Sequence, residues 1–245
     1  MNLHDEPSLI VTVAHIVLVL VVFRRLAQAV GRAEHGAGGE PAQVRRRVIV
    51  FTALLVVWLG STFAIAQSGV LLDFEARPPR MLFLMLPAFV GTAILAMTGF
   101  GALLLRGLPL WMLIGYQAFR IPVELILWRL SREGVLPERM TFVGSNWDIV
   151  SGVSALFVSA ALQRNLLTKW ALWVWNLISL GLLVNIVQIA IRSMPGPLQA
   201  WSEPPANPIV LLSVFIWVPT FYVLTAWFGH VLVFRALLRR DAALC

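Results

Sequence analysis

Hydrophobic residues fall in long continuous runs along this chain, and short polar segments separate them. Seven such runs can be drawn, each of roughly 16–27 residues, which is the length a helix needs to cross a bilayer. The runs do not alternate polar and apolar positions, so a transmembrane β-barrel does not fit. The pattern predicts an all-α polytopic membrane helix bundle, a single transmembrane domain over residues 1–245. The predicted spans are about 8–23, 48–70, 81–105, 108–130, 141–163, 167–191 and 209–234.

Composition agrees with this class. Only 13% of the 245 residues are charged and 59% are hydrophobic, whereas charged residues make up about 25% of a soluble domain. The mean hydropathy is +0.84. A soluble protein of this length has too small a core to bury so much apolar surface, so a soluble fold is excluded. The acidic opening "MNLHDEPS" lacks the basic start of a cleaved signal peptide, and we expect the first run to be a retained span.

The two sizeable polar linkers are residues 24–47, a basic and Gly-rich stretch that we expect to be a cytoplasmic loop, and residues 193–208, which are rich in proline. Basic residues accumulate on the cytoplasmic side of membrane proteins. With the N-terminus outside, twelve fall on the inner side: Arg24, Arg25, Arg32, Arg45, Arg46, Arg47, Arg106, Arg164, Lys169, Arg235, Arg239 and Arg240. Six fall on the outer side: Arg77, Arg80, Arg129, Arg132, Arg139 and Arg192. The bias predicts an N-out, C-in orientation.

The net charge of +7 is therefore explained by orientation in the bilayer, and nucleic acid is not expected as a partner. The lipid bilayer is the expected surrounding. The basic loop 24–47 is a candidate contact for anionic lipid or for a protein partner. No oligomeric state follows from the sequence.

Span four carries charges at an unusual depth. Arg120 and Glu124 are four residues apart and so share one helix face. Pro122 lies between them, removes a backbone N–H and is the expected hinge. Asp148 in span five is the second carboxylate inside a span. Charges at the bilayer centre cost at least ~2.5–3.5 kcal/mol and usually face a bundle interior or a wet cavity.

Counting residues from the span ends places several polar groups at about one depth, ~10 Å below the outer boundary at ~1.5 Å per residue. The sequence predicts that they line a cavity open to the outside and bind a ligand or relay protons. The candidate residues are Arg120, Glu124, Asn146, Asp148, Asn185, Gln188 and His15. Two simpler explanations stay open. Arg120 and Glu124 can form an ion pair with each other that fixes helix packing. Asp148 can interact favourably with the helix dipole at the start of span five.

Three functional classes follow. The leading hypothesis is binding or translocation of a small polar or charged solute, with Glu124 or Asp148 as a proton-coupled group. The alternative is a non-transporting receptor or assembly subunit whose polar layer only fixes helix packing. The third is an intramembrane enzyme, for which the sequence offers neither a nucleophile nor a catalytic motif, so no catalytic residue is assigned.

No cofactor is assigned. The last span has no lysine for a retinal Schiff base, since the single lysine, Lys169, lies at the inner end of span six. His15 and His230 are expected at different depths, which argues against a haem between them. His15 with Glu124 or Asp148 remains an alternative as a metal site, although no metal-ligand motif supports it. The one cysteine, Cys245, allows neither an intrachain disulfide nor a cysteine-rich metal site.

The segments "FRIPVELILWRL" (119–130) and "VLPERMTFVGSNWDIVSG" (135–152) resemble a pattern in uncharacterised bacterial multi-pass membrane proteins. The resemblance covers residues 115–155, less than a fifth of the chain. It implies a bacterial inner-membrane location and implies no activity.

Overall fold

A computed structural model describes residues 6–201 and 205–238, and every regular element within these ranges is helical. The α-helices are α1 (Leu9–Gly36), α2 (Pro41–Gln67), α3 (Arg80–Met97), α4 (Gly99–Gly107), α5 (Leu110–Gly115), α6 (Arg120–Arg132), α7 (Asp148–Gln163), α8 (Lys169–Ser193) and α9 (Leu224–Leu238). Short 3₁₀ turns and a π-helix, Val218–Val223, complete the path. The all-helical prediction is confirmed for this part of the chain.

Six helical segments are long and apolar enough to cross a membrane: Leu9–Gly36, Pro41–Gln67, Arg80–Met97, Leu110–Arg132, Lys169–Ser193 and Ser213–Leu238. A seventh apolar helix, Asp148–Gln163, is shorter. The outward faces of α2 and α3 are strongly apolar, with Leu54, Val57 and Leu86 each more than three-fifths exposed. So large an apolar surface suits contact with lipid rather than water.

The predicted loop 24–47 is helical over most of its length, because α1 continues to Gly36 and α2 begins at Pro41. The stretch that follows Arg24 is rich in Ala, Leu, Gln and Arg, which are good helix formers. Only four residues turn the chain, and Gly38 takes the left-handed conformation there, with φ of 84°. Reading charge as a sign of a loop was therefore wrong for this segment. The basic residues lie instead on helix surfaces beyond the apolar runs.

Spans three and seven are less regular than the hydrophobic pattern predicts. The predicted helix 81–105 is divided at Thr98, whose hydroxyl accepts a hydrogen bond from Phe100 N–H and caps α4. The last span begins in 3₁₀ turns and passes through the π-helix before α9. Pro219 lies in that π-helix and cannot donate a backbone hydrogen bond. Trp58 Nε1 of α2 donates to the Thr220 carbonyl at 2.8 Å. A side chain of a neighbouring helix therefore satisfies one backbone carbonyl of the π-helix.

Contacts at the helix ends show how α1 packs. At its start, the backbone N–H and hydroxyl of Ser8 donate to Glu133, the residue that follows α6, at 2.9 and 2.7 Å. At its other end, Gly107 of α4 lies so close to the backbone of Ala33 that a Cβ on the glycine would overlap it. The main apolar core lies between these ends and is formed by α1, α6, α8 and the last span.

We expect Gly107→Ala to destabilise the protein by about 1–3 kcal/mol, because the new methyl group forces α1 and α4 apart. The measurement is thermal unfolding of the detergent-purified protein. Gly60→Ala is the matched control, since no atom lies within 4 Å of a Cβ at Gly60. Equal melting temperatures for the two variants would contradict the close packing of α4 on α1.

Candidate functional site

Arg120 is placed by the transition from a 3₁₀ turn, Tyr116–Phe119, to α6. It is the first residue of α6, and Pro122 is the third. A proline is tolerated there because N–H groups in the first helical turn lack a partner within the helix. The predicted hinge therefore coincides with a change of helix type, and its role as a hinge stays a prediction.

The guanidinium of Arg120 forms a two-pronged salt bridge with Asp148, the first residue of α7. Nε donates to Oδ2 at 2.6 Å, and Nη2 donates to Oδ1. Arg120 is 2% exposed and Asp148 is 5% exposed. Paired N–H donors on a carboxylate are a strong and directional interaction. Asp148 also lies at the N-terminus of α7, where the helix dipole favours a negative charge. The helix dipole and the ion pair with Arg120 therefore both account for an acidic residue at this position.

The other side of Arg120 faces α8 and α9. Its Nη1 lies 3.1 Å from His230 Nε2, and its Nη2 lies 3.3 Å from the Ser179 carbonyl. A guanidinium only donates hydrogen bonds, so His230 Nε2 accepts and the ring proton is on Nδ1. Nδ1 lies 2.8 Å from Asn176 Oδ1, which accepts that proton's hydrogen bond. His230 and Asn176 are both fully buried.

Glu124 is held by Asn146 rather than by Arg120. Asn146 Nδ2 lies 2.8 and 2.7 Å from the two carboxylate oxygens of Glu124, and 3.0 Å from the Met140 carbonyl. Its Oδ1 accepts from the N–H of Asp148, the first residue of α7, at 3.1 Å. Among the described residues no salt bridge joins Arg120 to Glu124, so the predicted pair within one helix is replaced by the pair between helices. One asparagine thus links the Glu124 carboxylate to the backbone of Asp148.

The loop before α7 is what brings Asn146 to this position. Span five was predicted from residue 141, but residues 141–147 form turns and α7 begins at Asp148. Within this loop the Thr141 hydroxyl donates to the Glu138 carbonyl at 2.8 Å. Thr141 and Asn146 are both fully buried, so this polar loop enters the protein interior.

Three of the predicted site residues lie away from the charged group. Asn185 is exposed on α8 and donates to the Ser145 carbonyl at 2.9 Å, so it contacts the loop before α7 but not the carboxylates. Gln188 is also exposed. His15 is fully buried elsewhere, with Nε2 2.9 Å from the Val214 carbonyl and its ring stacked on Phe215 at 4.9 Å. Of the seven residues that were expected at one depth, only four therefore lie together in the structure.

We name this assembly the buried network, defined by Arg120, Glu124, Asn146, Asp148, Asn176 and His230. Sequence reasoning missed its last two members. The last span was predicted to end at residue 234, which put His230 near the inner surface, whereas the helix continues at least to Leu238. The signal that could have found His230 was the need of a membrane-embedded arginine for further hydrogen-bond acceptors.

The electrostatic balance of the buried network is uneven. It contains one guanidinium and two carboxylates, and His230 accepts from Arg120 as a neutral ring. Asp148 has the guanidinium as its partner, whereas the direct donor to Glu124 is the neutral amide of Asn146. Glu124 is therefore the group where binding of a proton removes an uncompensated charge from the interior.

Metal ligation has no support in the part of the chain that the structure describes, where no cluster of three His, Cys, Asp or Glu residues could hold an ion. His15 contacts Val214 and Phe215, whereas His230 contacts Arg120 and Asn176. The two histidines thus belong to different sites. Cys245 lies outside the described residues.

Comparison with known proteins gives one match. A family model described as a domain of unknown function (DUF8737) matches residues 80–238, which is more than half of the chain. This chain belongs to the DUF8737 family. The matched region begins with α3 and includes every member of the buried network, while α1 and α2 precede it. Searches of curated proteins and of solved structures found no match.

We expect Asn146→Leu to lower the free energy of unfolding by about 1–3 kcal/mol, because buried acceptors on Glu124 and Met140 lose their donor. Asn185→Leu is the matched control, since the same change on the exposed face of α8 removes one peripheral hydrogen bond. Thermal unfolding in detergent compares the two. A loss at Asn185 as large as that at Asn146 would contradict the central position of Asn146.

Proposed function

We propose that this DUF8737 protein is a seven-span protein of the bacterial inner membrane, with its N-terminus outside and its C-terminus inside. Six segments have the length and apolarity of a span. The seventh is α7, about 24 Å long at ~1.5 Å per residue, extended by the loop that precedes it. An odd number of spans puts the termini on opposite sides, and the distribution of arginines favours the inner side for residues 24–47, Arg106 and Arg164.

Within that membrane setting, the function best supported is that of a non-transporting receptor or assembly subunit whose buried network fixes helix packing. The observation that carries this proposal is the two-pronged Arg120–Asp148 pair backed by His230. With Asn176 it joins α6, α7, α8 and α9 through residues that are at most 5% exposed. The members of the buried network donate and accept hydrogen bonds among themselves, as expected of polar groups with a structural role.

The packing role predicts strong coupling between the two charges. We expect Arg120→Met and Asp148→Leu each to cost about 3–5 kcal/mol, because each leaves the partner charge buried and unpaired. The double variant is expected to recover most of that loss, since no isolated charge remains. Thermal unfolding and size-exclusion profiles in detergent measure all four proteins.

The exposed pair Arg80–Asp73 supplies the control cycle. Its atoms are 3.0 Å apart and its side chains are nearly half exposed. Such pairs contribute about 0–1 kcal/mol, so Arg80→Met and Asp73→Leu should leave the melting temperature almost unchanged. A folded Arg120→Met protein with the stability of the wild type would overturn the packing role.

Solute handling is the second candidate, and Glu124 is the observation that favours it. It is a buried carboxylate without a salt-bridge partner among the described residues, and it shares the network with Arg120, whose guanidinium can attract an anionic solute. The π-helix Val218–Val223 adds an irregular turn to the last span, and such turns are common at functional sites.

In this second case Glu124→Gln should leave the protein folded, because the amide keeps the shape of the carboxylate. It should abolish the thermal shift or liposome uptake that the wild type shows with a panel of amino acids, organic acids and sugars. Glu133→Gln, at the end of α6, is the control and should retain the shift. Loss of folding in Glu124→Gln, with no solute recognised by the wild type, would leave only the packing role.

The basic surface of α1 and α2 is the proposed contact for anionic lipid, with a protein partner as the alternative. Its six arginines are all exposed: Arg24, Arg25, Arg32, Arg45, Arg46 and Arg47. Only Arg47 has a salt bridge among the described residues, to Glu34 at 2.6 Å. Clusters of this kind beside a span attract anionic head groups.

A further inference from the structure

A cavity of about 210 Å³ lies between α3, α8 and the last span. Its walls are almost entirely hydrocarbon, and they include Met85 and Phe89 of α3, Ala190 and Ile191 of α8, and Pro219 of the π-helix. None of the six members of the buried network lines it. The cavity is therefore a feature separate from the site described above.

The cavity runs from the lipid-facing surface into the interior. At its outer edge Leu82 and Leu86 of α3 are 38% and 63% exposed. At its inner edge Leu127 and Met140 are each 2% exposed. Since α3 is one of the segments able to span the membrane, this outer edge opens sideways toward lipid rather than toward water.

A charged pair marks one end of the same cavity. Asp73 and Arg80 both line it, and Asp73 Oδ2 accepts from Arg80 Nε and Nη2 at 3.3 and 3.0 Å. Both side chains are nearly half exposed. Arg80 is the first residue of α3, so the pair lies at the end of a span, where lipid head groups are found.

We propose that this cavity binds one acyl chain of a membrane phospholipid, with the head group of phosphatidylethanolamine beside Asp73 and Arg80. The apolar walls match a hydrocarbon chain. The head group is a zwitterion, so its phosphate complements Arg80 and its ammonium complements Asp73. The lateral opening gives a bilayer lipid direct access without passage through water.

Other occupants fit the cavity less well. A polar solute finds few hydrogen-bonding groups on these walls, and apolar cavities of this kind stay free of water. A helix of a second copy, about 10 Å across with its side chains, is too wide for the space. An acyl chain is narrow, flexible and present at high concentration beside α3.

The site also contacts the element that supports the buried network. Met140 lines the cavity, and its carbonyl accepts from Asn146 Nδ2 at 3.0 Å. A bound chain therefore packs directly against the turn that holds Asn146. The proposed lipid binding does not depend on whether the buried network acts in packing or in solute handling. The lipid-binding experiment can therefore fail or succeed independently of the tests of those two functions.

The test is native mass spectrometry of the purified full-length protein with phosphatidylethanolamine added at defined ratios. We expect the wild type to retain one phospholipid per chain. Ala190→Phe places a ring in the cavity, and loss of space for about two methylene groups weakens binding roughly tenfold. Val184→Phe is the control on the same helix, because Val184 is exposed to lipid and does not line the cavity.

Further measurements distinguish binding of the acyl chain from binding of the head group. Glycerophosphoethanolamine, which has no acyl chains, should not bind, and Asp73→Asn with Arg80→Gln should reduce the preference for phosphatidylethanolamine over phosphatidylglycerol. If Ala190→Phe fails to fold, Val187→Phe fills the same cavity from the neighbouring helical position. The proposal is overturned if the wild type retains no lipid, if filled and control variants retain it equally, or if the head group alone binds as well.

Discussion

The guanidinium of Arg120 is the constraint on which the rest of the helix arrangement depends. An arginine cannot lose its charge inside a membrane, so its donors must find acceptors within the protein. The acceptors come from three different helices: the carboxylate of Asp148 on α7, the Ser179 carbonyl on α8 and His230 on α9. Because salt bridges and hydrogen bonds depend strongly on distance and direction, these contacts fix the rotation and depth of each helix relative to α6. Apolar side chains alone would fill the same space with much less positional specificity.

Charged residues were the most predictable part of the site. Arg120, Glu124 and Asp148 stood out from the sequence because charges are rare inside spans, and Asn146 stood out through its place in the same polar stretch. Their pairing was not predictable. Spacing by four residues puts Arg120 and Glu124 on one face, but both side chains have long flexible stems, and the better acceptor for Arg120 proved to be on the next helix. His230 was missed because hydropathy does not mark where a span ends when 3₁₀ and π turns alter the rise per residue.

His15 and Gln188 show the limit of counting residues along a helix. Counting gives the depth of a residue, whereas the direction in which its side chain points depends on how the helix is rotated about its axis. That rotation is set by packing against several neighbours and is not encoded in the spacing of polar residues. His15 is buried among Phe215, Trp217 and Tyr222, and Gln188 faces outward from α8. The presence of long apolar helices follows from the continuous hydrophobic runs, while convergence of polar residues on one site requires the tertiary structure.

The buried network and the apolar cavity are physically complementary because they share the turn at Met140. Electrostatic interactions strengthen as water is excluded, so the Arg120–Asp148 pair is most stable when its surroundings stay dry. A cavity of about 210 Å³ beside that turn is a weakness in the packing, since wall atoms without a neighbour lose their dispersion contacts. Hydrocarbon from the bilayer restores those contacts and keeps water away from Asn146 and Glu124. The apolar bilayer thus makes a buried charge energetically costly, and one of its acyl chains also completes the packing beside the turn that supports the buried network.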